Sequence, residues 1–200
     1  MTCCKSWSRG HRVAQVSTVA VIGAGVLGRG IACLAALGGY RTIVEDLWPS
    51  SLRKAEREFR TTLSQVTRFG QLDAEDAHAA FGRLEYAGSV DDAARQADLV
   101  IEAVPEELES KSEIFILLDK ICRPSTILVT TSSETDVTQL ANVTYRPEKC
   151  VGMRMVPSVQ TPRWIEVVRG EQTDEETLAV AHTLAENIMS VRQHGNLSTL

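Results

Sequence analysis

The sequence contains no long hydrophobic run, and no window approaches the ~18 uninterrupted apolar residues of a membrane-spanning helix. It also contains no internal repeat, no low-complexity tract and no linker-like stretch between residues 19 and 190. These absences exclude membrane-spanning, collagen-like and disordered proteins. The apolar fraction of 44% and the charged fraction of 24% are typical of a soluble globular protein. A length of 200 residues predicts one domain of ordinary size.

Basic residues are outnumbered, with 21 Lys and Arg against 26 Asp and Glu and a net charge of −5. An acidic body repels phosphate backbones, so we expect neither a nucleic acid nor a membrane as partner. The five cysteines show no C-x-x-C spacing, which argues against a zinc site and against a disulfide framework. We therefore expect no bound metal and a cytoplasmic, reducing location.

Short β-branched runs alternate with helical patterns along the chain. This alternation predicts an α/β fold, a doubly wound and mostly parallel sheet with helices on both faces, as in the Rossmann fold. We expect one domain over residues 18–190, a flexible extension over 1–17 and a tail over 191–200. The predicted strands are Thr18–Ile22, Thr42–Val44, Leu99–Ala103, Thr126–Thr130, Cys150–Val156 and Trp164–Val168. The predicted helices are 26–37, 49–69, one from Asp73, one from Ser89, 107–121, 136–141 and one from a Thr173–Glu176 capping box to about Met189.

A glycine-rich hexapeptide joins the first predicted strand to the first predicted helix and fits G-x-G-x-x-G. In that position the first glycine permits a tight turn, the second lets the backbone approach a pyrophosphate, and the third lets the helix pack closely on the strand. The helix N-terminus supplies free N–H groups for the phosphates. The candidate cofactor-binding residues of this turn are Gly23, Ala24, Gly25, Val26, Leu27 and Gly28.

An acidic residue, Asp46, ends the second predicted strand at the offset expected for the residue that binds the adenosine ribose. A carboxylate there repels a 2′-phosphate. The sequence therefore predicts NAD as the cofactor and disfavours NADP.

A family resemblance rests on four segments, the first of which contains the glycine-rich turn. They are VAVIGAGVLGRGIACLAALGGY (19–40), ADLVIEAVPEELESK (97–111), RPEKCVGM (146–153) and WIEVVRGEQTDEET (164–177). With these segments in this order, residues 18–190 resemble the NAD-binding domain of the 3-hydroxyacyl-CoA dehydrogenases of fatty acid metabolism. The resemblance implies oxidation of a 3-hydroxyacyl thioester to the 3-ketoacyl form, with hydride passing to NAD and acyl-CoA as the substrate. In that family a histidine removes the hydroxyl proton, a glutamate orients the histidine, and a serine binds the reacting oxygen.

Carried over by position, the resemblance implies Ser133 as the substrate serine, also next to the cofactor, and Glu166 as the histidine's partner. It also implies further residues at the cofactor, namely Ala103, Val104, Pro105, Glu106 and Lys111.

The catalytic motif departs from the family pattern. Where the family reads G-M-H-F-F-N-P, this chain has Arg154 at the histidine and Pro157 at the asparagine. In the family's N-T-S-S segment, Thr131 replaces the asparagine and Glu134 the last serine. An arginine has no acceptor lone pair and stays protonated, so Arg154 cannot act as a general base. We expect it instead to form a salt bridge with Glu166 on the neighbouring strand.

Two functions therefore remain open. The first is an NAD-dependent 3-hydroxyacyl-CoA dehydrogenase with weak or lost activity. The second is an NAD-binding pseudoenzyme or regulatory subunit, or a fragment that needs a separate C-terminal domain. The family's helical domain and its dimer contact are not encoded in these 200 residues, so we expect no family-type dimer and, under the second function, a separate partner chain.

Overall fold

A computed structural model describes residues 16–156 and 164–194 of the chain. In these ranges seven strands form one sheet with the order β3-β2-β1-β4-β5-β6-β7. The strands from β3 to β6 run parallel, and β7 pairs antiparallel with β6. The strands are β1 Thr18–Ile22, β2 Arg41–Glu45, β3 Leu84–Ala87, β4 Leu99–Glu102, β5 Ile127–Thr130, β6 Cys150–Val156 and β7 Trp164–Arg169.

Helices cover both faces of this sheet. They are α1 Val26–Leu37, α2 Pro49–Arg68, α3 Ala74–Gly82, α4 Val90–Ala94, α5 Leu108–Ile121, α6 Val137–Ala141 and α7 Glu175–His194, with a short 3₁₀ helix at Pro147–Lys149. One apolar core lies between the sheet and α1, α2, α3 and α7. A second core lies between the opposite face and α4, α5 and α6. The sheet is therefore doubly wound, as the sequence predicted, and has the Rossmann-like architecture.

The strand order reverses at β1, which lies between β2 and β4. Chain connections leave the carboxyl ends of β1 and β4 toward opposite sides there, so a crevice opens above these ends. The glycine-rich turn follows β1 and the segment 103–106 follows β4. The fold thus brings the two predicted cofactor-binding segments to one edge of the sheet.

Three details differ from the sequence prediction. The edge strand β3 was missed, because it has only four residues and carries the charged Glu85. The capping box at Thr173 is wrong: Asp174 Oδ1 accepts the N–H of Thr177, while the buried Thr173 hydroxyl donates to the carbonyl of Cys150. Helix α7 extends to His194, five residues beyond Met189.

The predicted flexible extension is mostly outside the described residues, as are Pro157 and the end of the tail. Ser17, the last residue of the predicted extension, is held in place: its N–H and its hydroxyl both donate to Asp98 Oδ2. No helix in the described ranges is long and apolar enough to cross a membrane.

Candidate functional site

The glycine-rich turn has a shape that only glycine permits at two of its positions. Gly23 has φ +103°, and a Cβ there would lie 2.6 Å from the carbonyl oxygen of Ala103. A Cβ on Gly28 would lie 1.9 Å from the carbonyl oxygen of Gly23. These two glycines therefore allow β1, the turn and α1 to pack against the segment that follows β4.

The N-terminus of α1 opens toward the crevice. Its N-cap residue is Gly25, which has no side chain to cap the helix, and a Cβ there would meet nothing within 4 Å. The first N–H groups of the helix thus remain available, with the positive end of the helix dipole behind them. An uncapped helix start beside a glycine is what a pyrophosphate needs for close approach.

Asp46 fixes the turn to the end of β2. Its Oδ2 accepts the N–H of Ala24 at 2.9 Å, and its Oδ1 accepts the N–H of Trp48 at 2.9 Å. An ionised carboxylate has about four acceptor sites, so the two bonds leave capacity for ribose hydroxyls. Asp46 also lines the crevice.

The crevice has a volume of about 670 Å³. Among the described residues, apolar side chains line it from both sides of the point where the strand order reverses, together with four carboxylates and no Lys or Arg. Such a cleft suits a nucleotide whose base packs on apolar groups and whose phosphates bind backbone N–H groups. The apolar lining residues include Ile22, Val90, Val104, Pro105 and Ile114, and the acidic ones are Glu45, Asp46, Glu106 and Glu113.

The structure separates the predicted cofactor residues into two groups. Most of them line the crevice, namely Gly23, Gly25, Val26, Leu27, Asp46, Ala103, Val104, Pro105 and Glu106. Four do not: Ala24 bonds to Asp46, Gly28 packs against the turn, and Lys111 and Ser133 lie elsewhere.

Lys111 is fully buried behind the crevice, which corrects the expectation that it faces the cofactor. Its ammonium lies 2.8 and 3.1 Å from the two carboxylate oxygens of Glu102 and 3.7 Å from Glu106. Glu102 is also fully buried and accepts the N–H of Val104 and the hydroxyl of Thr130, each at 2.8 Å. A buried charge needs such pairing, so helix α5 supplies Lys111 as a support for the loop after β4.

Sequence reasoning missed Glu102. The available signal was a carboxylate at the end of an otherwise apolar strand, nine positions before a lysine on the following helix. Only the packing of α5 on the sheet shows that these two charges meet.

The segment after β5 is bonded to the same network. Ser132 is buried and its hydroxyl donates to Glu106, while it also accepts the N–H of Thr135. Burial opposes ionisation of Glu106, but the bond from Ser132 and the charge of Lys111 outweigh it, so the pKa of Glu106 lies below its usual value. Ser133, the predicted substrate serine, is exposed.

Arg154 and Glu166 occupy directly opposed positions of β6 and β7. The predicted salt bridge between them is nevertheless wrong, because it is not among the ion pairs of the residues that the structure describes. Arg154 Nε donates to the carbonyl oxygen of Ser132 at 3.0 Å, and Glu166 is exposed. The carbonyl of Ser132, in the segment after β5, is within reach of the half-buried guanidinium, whereas the Glu166 side chain extends into solvent.

Across residues 16–156 and 164–194, no three His, Cys, Asp or Glu side chains are grouped so that they could hold a metal ion. Burial raises the pKa of the Cys33 thiol to about 12 and that of the Cys122 thiol to about 11. These thiols belong to the core and not to the site.

Comparison with known proteins places this geometry in a family. Residues 18–192 match the family model of the 3-hydroxyacyl-CoA dehydrogenase NAD-binding domain. A probable 3-hydroxybutyryl-CoA dehydrogenase of Bacillus subtilis is 32% identical over 87% of this chain and 60% of that protein. The 3-hydroxyadipyl-CoA dehydrogenase of Escherichia coli is 37% identical over 82% of this chain and 34% of that protein.

Among solved structures, the (S)-3-hydroxybutyryl-CoA dehydrogenase PaaH1 from Ralstonia eutropha superposes with a TM-score of 0.81 at 29% identity. The superposition covers 87% of this chain and 61% of that one. The chain thus spans less than two thirds of the length of these relatives.

Proposed function

Because the chain belongs to the 3-hydroxyacyl-CoA dehydrogenase NAD-binding domain family, we propose that it binds NAD with little dehydrogenase activity of its own. The acyl-CoA thioesters named for its relatives are the substrate class against which this activity is measured. Relative to members that have the catalytic histidine, turnover falls by the ~10²–10⁴-fold that general-base catalysis contributes.

The observation that carries this proposal is the state of Arg154. It stands at the family's histidine position on β6, and its Nε donates to the carbonyl oxygen of Ser132. A guanidinium stays protonated at physiological pH and has no acceptor lone pair, so it cannot take the hydroxyl proton. It can stabilise a negatively charged oxygen, but it does not readily deliver or remove the proton.

The residues that would hold the cofactor fit NAD. The uncapped start of α1 at Gly25 binds the pyrophosphate, and Asp46 binds the ribose hydroxyls and repels a 2′-phosphate. When bound, NAD supplies the hydride acceptor of the family's reaction. The chain's own residues would bind the nucleotide, exclude water through the apolar part of the crevice lining and fix the loops after β4 and β5.

The test is an NADH absorbance assay with acetoacetyl-CoA, run on the wild type, Arg154→His and a control, Arg95→His. Arg95 is paired with Asp91 on the surface of α4, away from the crevice. We expect a rate far below that of the B. subtilis relative assayed in parallel. Arg154→His raises the rate at least tenfold, with a new ionisation near the ~6.5 of a histidine, and Arg95→His changes nothing.

A wild-type rate equal to that of the relative contradicts the proposal. An unchanged low rate in Arg154→His shows that Arg154 is not the cause. NAD binding, measured by calorimetry on all three proteins, confirms that the variants remain folded and that the crevice is intact.

A second candidate function is an NAD-binding subunit that works with further polypeptide. It is favoured by the length difference, since the chain covers 60% of the B. subtilis protein. The test adds the remaining C-terminal part of that relative as a separate chain to Arg154→His. A rate increase that depends on the added chain supports this function, and no increase in any mixture contradicts it.

A further inference from the structure

Glu45 is a buried carboxylic acid inside the nucleotide crevice. It is the last residue of β2, adjacent to Asp46, and only 5% of it is exposed. Its strand register places it beside Ile22 on β1 and Ala87 on β3, which are both core residues of the same sheet face. The remaining exposed surface opens into the crevice, because Glu45 is one of its lining residues.

The surroundings of Glu45 offer little to a charged carboxylate. Apolar Val90, Val104 and Ile114 also line the crevice and pack on the same core. Within the described part of the chain, no hydrogen bond reaches the Glu45 carboxyl group. An ionised carboxylate without a donor in an apolar wall is unfavourable.

The negative charge of the neighbouring Asp46 adds to this effect. Asp46, Glu106 and Glu113 are the other titratable residues of the lining, and all three are acids. Burial, followed by the negative charge of Asp46, raises the pKa of Glu45 from 4.5 to about 7. Glu45 thus titrates near neutrality.

The charges of the neighbouring elements are already paired. On β2 and β3, Arg41 forms a bidentate ion pair with Glu85. At the two ends of α4, Arg95 pairs with Asp91 of the helix, and Ser89 donates to Asp92 of the helix. Strand β1 carries no charged residue.

On α5, Lys111 pairs with Glu102, and the Glu113 side chain is exposed at the rim of the crevice. His78 and His182 are exposed and do not line the crevice. Glu45 is therefore the crevice group that we expect to respond to pH between 6 and 8.

We propose that Glu45 binds the nucleotide as a neutral carboxylic acid, so that NAD binding takes up a proton near neutral pH. Three physical effects carry the inference. A nucleotide that covers Glu45 removes its remaining contact with water, and the pyrophosphate adds negative charge to a crevice whose described lining holds no Lys or Arg. The neutral acid can also donate its O–H to an acceptor atom of the nucleotide, which the ionised acid cannot do.

The sign of the pH dependence follows from this linkage. NAD affinity is highest while Glu45 is protonated and falls as the pH rises through about 7. One linked proton limits the fall to ~10-fold per pH unit. Without nucleotide, the same raised pKa makes the free energy of unfolding decrease as pH rises from 4.5 to about 7, because the folded state then binds more protons than the unfolded state.

The test is calorimetry of NAD binding at pH 7.5 in two buffers with different ionisation enthalpies, which counts the protons taken up. We expect a substantial fraction of a proton for the wild type and none for Glu45→Gln, which imitates the neutral acid. The NAD affinity of Glu45→Gln is then equal at pH 6 and pH 8, whereas that of the wild type falls severalfold. The matched control is Glu113→Gln, which removes a carboxylate from the rim of the same crevice and keeps the proton uptake.

Proton uptake of zero in the wild type, proton release, or uptake that persists in Glu45→Gln overturns the inference. The inference rests on NAD binding and not on turnover. Absence of NAD binding at every pH contradicts the proposed function itself, whereas binding without proton uptake contradicts only the role of Glu45.

Discussion

Two regions of this domain differ in the atoms that they present. The nucleotide end is the crevice above β1 and β4, and the catalytic end is the region around Ser133, Arg154 and Glu166, the positions implied by the family's chemistry. At the nucleotide end the turn at Gly23, the uncapped helix start at Gly25 and the bond from Ala24 to Asp46 present mostly backbone atoms to the crevice. At the catalytic end the family chemistry depends on particular side chains, and here Arg154 donates to a backbone carbonyl while Ser133 and Glu166 are exposed.

Under the proposed function, this difference explains how one end would keep its capacity while the other would lose it. A site made of backbone N–H groups needs only glycines and a fixed chain path, which the whole sheet maintains. A proton-transfer site needs one ionisable group of suitable pKa, and a single substitution removes it. The two ends share one support, since Glu102 and Lys111 bond both the loop after β4 and Thr130 of β5.

The largest expected effect comes from breaking this shared support. Lys111→Met leaves the buried Glu102 without its cation and costs about 3–5 kcal/mol of unfolding free energy. Chemical denaturation measures the loss, and NAD binding weakens in parallel. Adding Glu102→Gln to Lys111→Met recovers part of the stability, because the unpaired charge is removed.

The control for this change is Lys54→Met, which removes an exposed i,i+4 pair with Glu58 and changes stability by less than about 1 kcal/mol. Equal losses of unfolding free energy from the two lysine variants would show that the buried pair contributes no more stability than an exposed pair.

A second change affects the nucleotide end alone. Gly28→Ala forces a methyl group against the carbonyl of Gly23 and costs about 1–3 kcal/mol, or more if the helix cannot move. NAD binding, followed by calorimetry, falls sharply. Gly30→Ala is the matched control in the same helix, and it raises stability by roughly 0.5–1 kcal/mol because its Cβ meets nothing within 4 Å.

A third change tests whether the charge of Asp46 sets the cofactor preference at the nucleotide end. Asp46→Asn removes the charge that repels a 2′-phosphate and erodes the preference for NAD over NADP by about 1–3 kcal/mol. Titration with both nucleotides measures the preference. Asp76→Asn, an exposed acid on α3, leaves it unchanged, and a preference that survives in Asp46→Asn would assign the selectivity to another group.

The smallest expected effect concerns the catalytic end. Glu166→Ala changes the unfolding free energy by less than about 0.5 kcal/mol, because the side chain is exposed. Arg154→Ala costs about 0.5–1.5 kcal/mol through the bond to Ser132. We expect a double-mutant cycle of the two residues to show no coupling. A coupling free energy above about 1 kcal/mol would show that Arg154 and Glu166 form the salt bridge predicted from the sequence.

The sequence by itself determined the parts of this protein that follow from local patterns. Alternating β-branched and helical segments identified six of the seven strands, and the turn between β1 and α1 was recognised from three glycines at fixed spacing. The family resemblance also implies, from the sequence alone, that Arg154 stands where the family has its histidine. These features are local because backbone conformation and side-chain chemistry depend on a few neighbouring residues.

The tertiary structure decided which side chains meet. It paired Lys111 with Glu102 and not with the crevice, turned Arg154 to Ser132 and not to Glu166, and buried Glu45 among apolar groups at the nucleotide end. Burial and partners set the charge state of an acid, and both come from segments far apart in the chain. For that reason a sequence pattern located the site, while only the packing of strands and helices fixed its electrostatics.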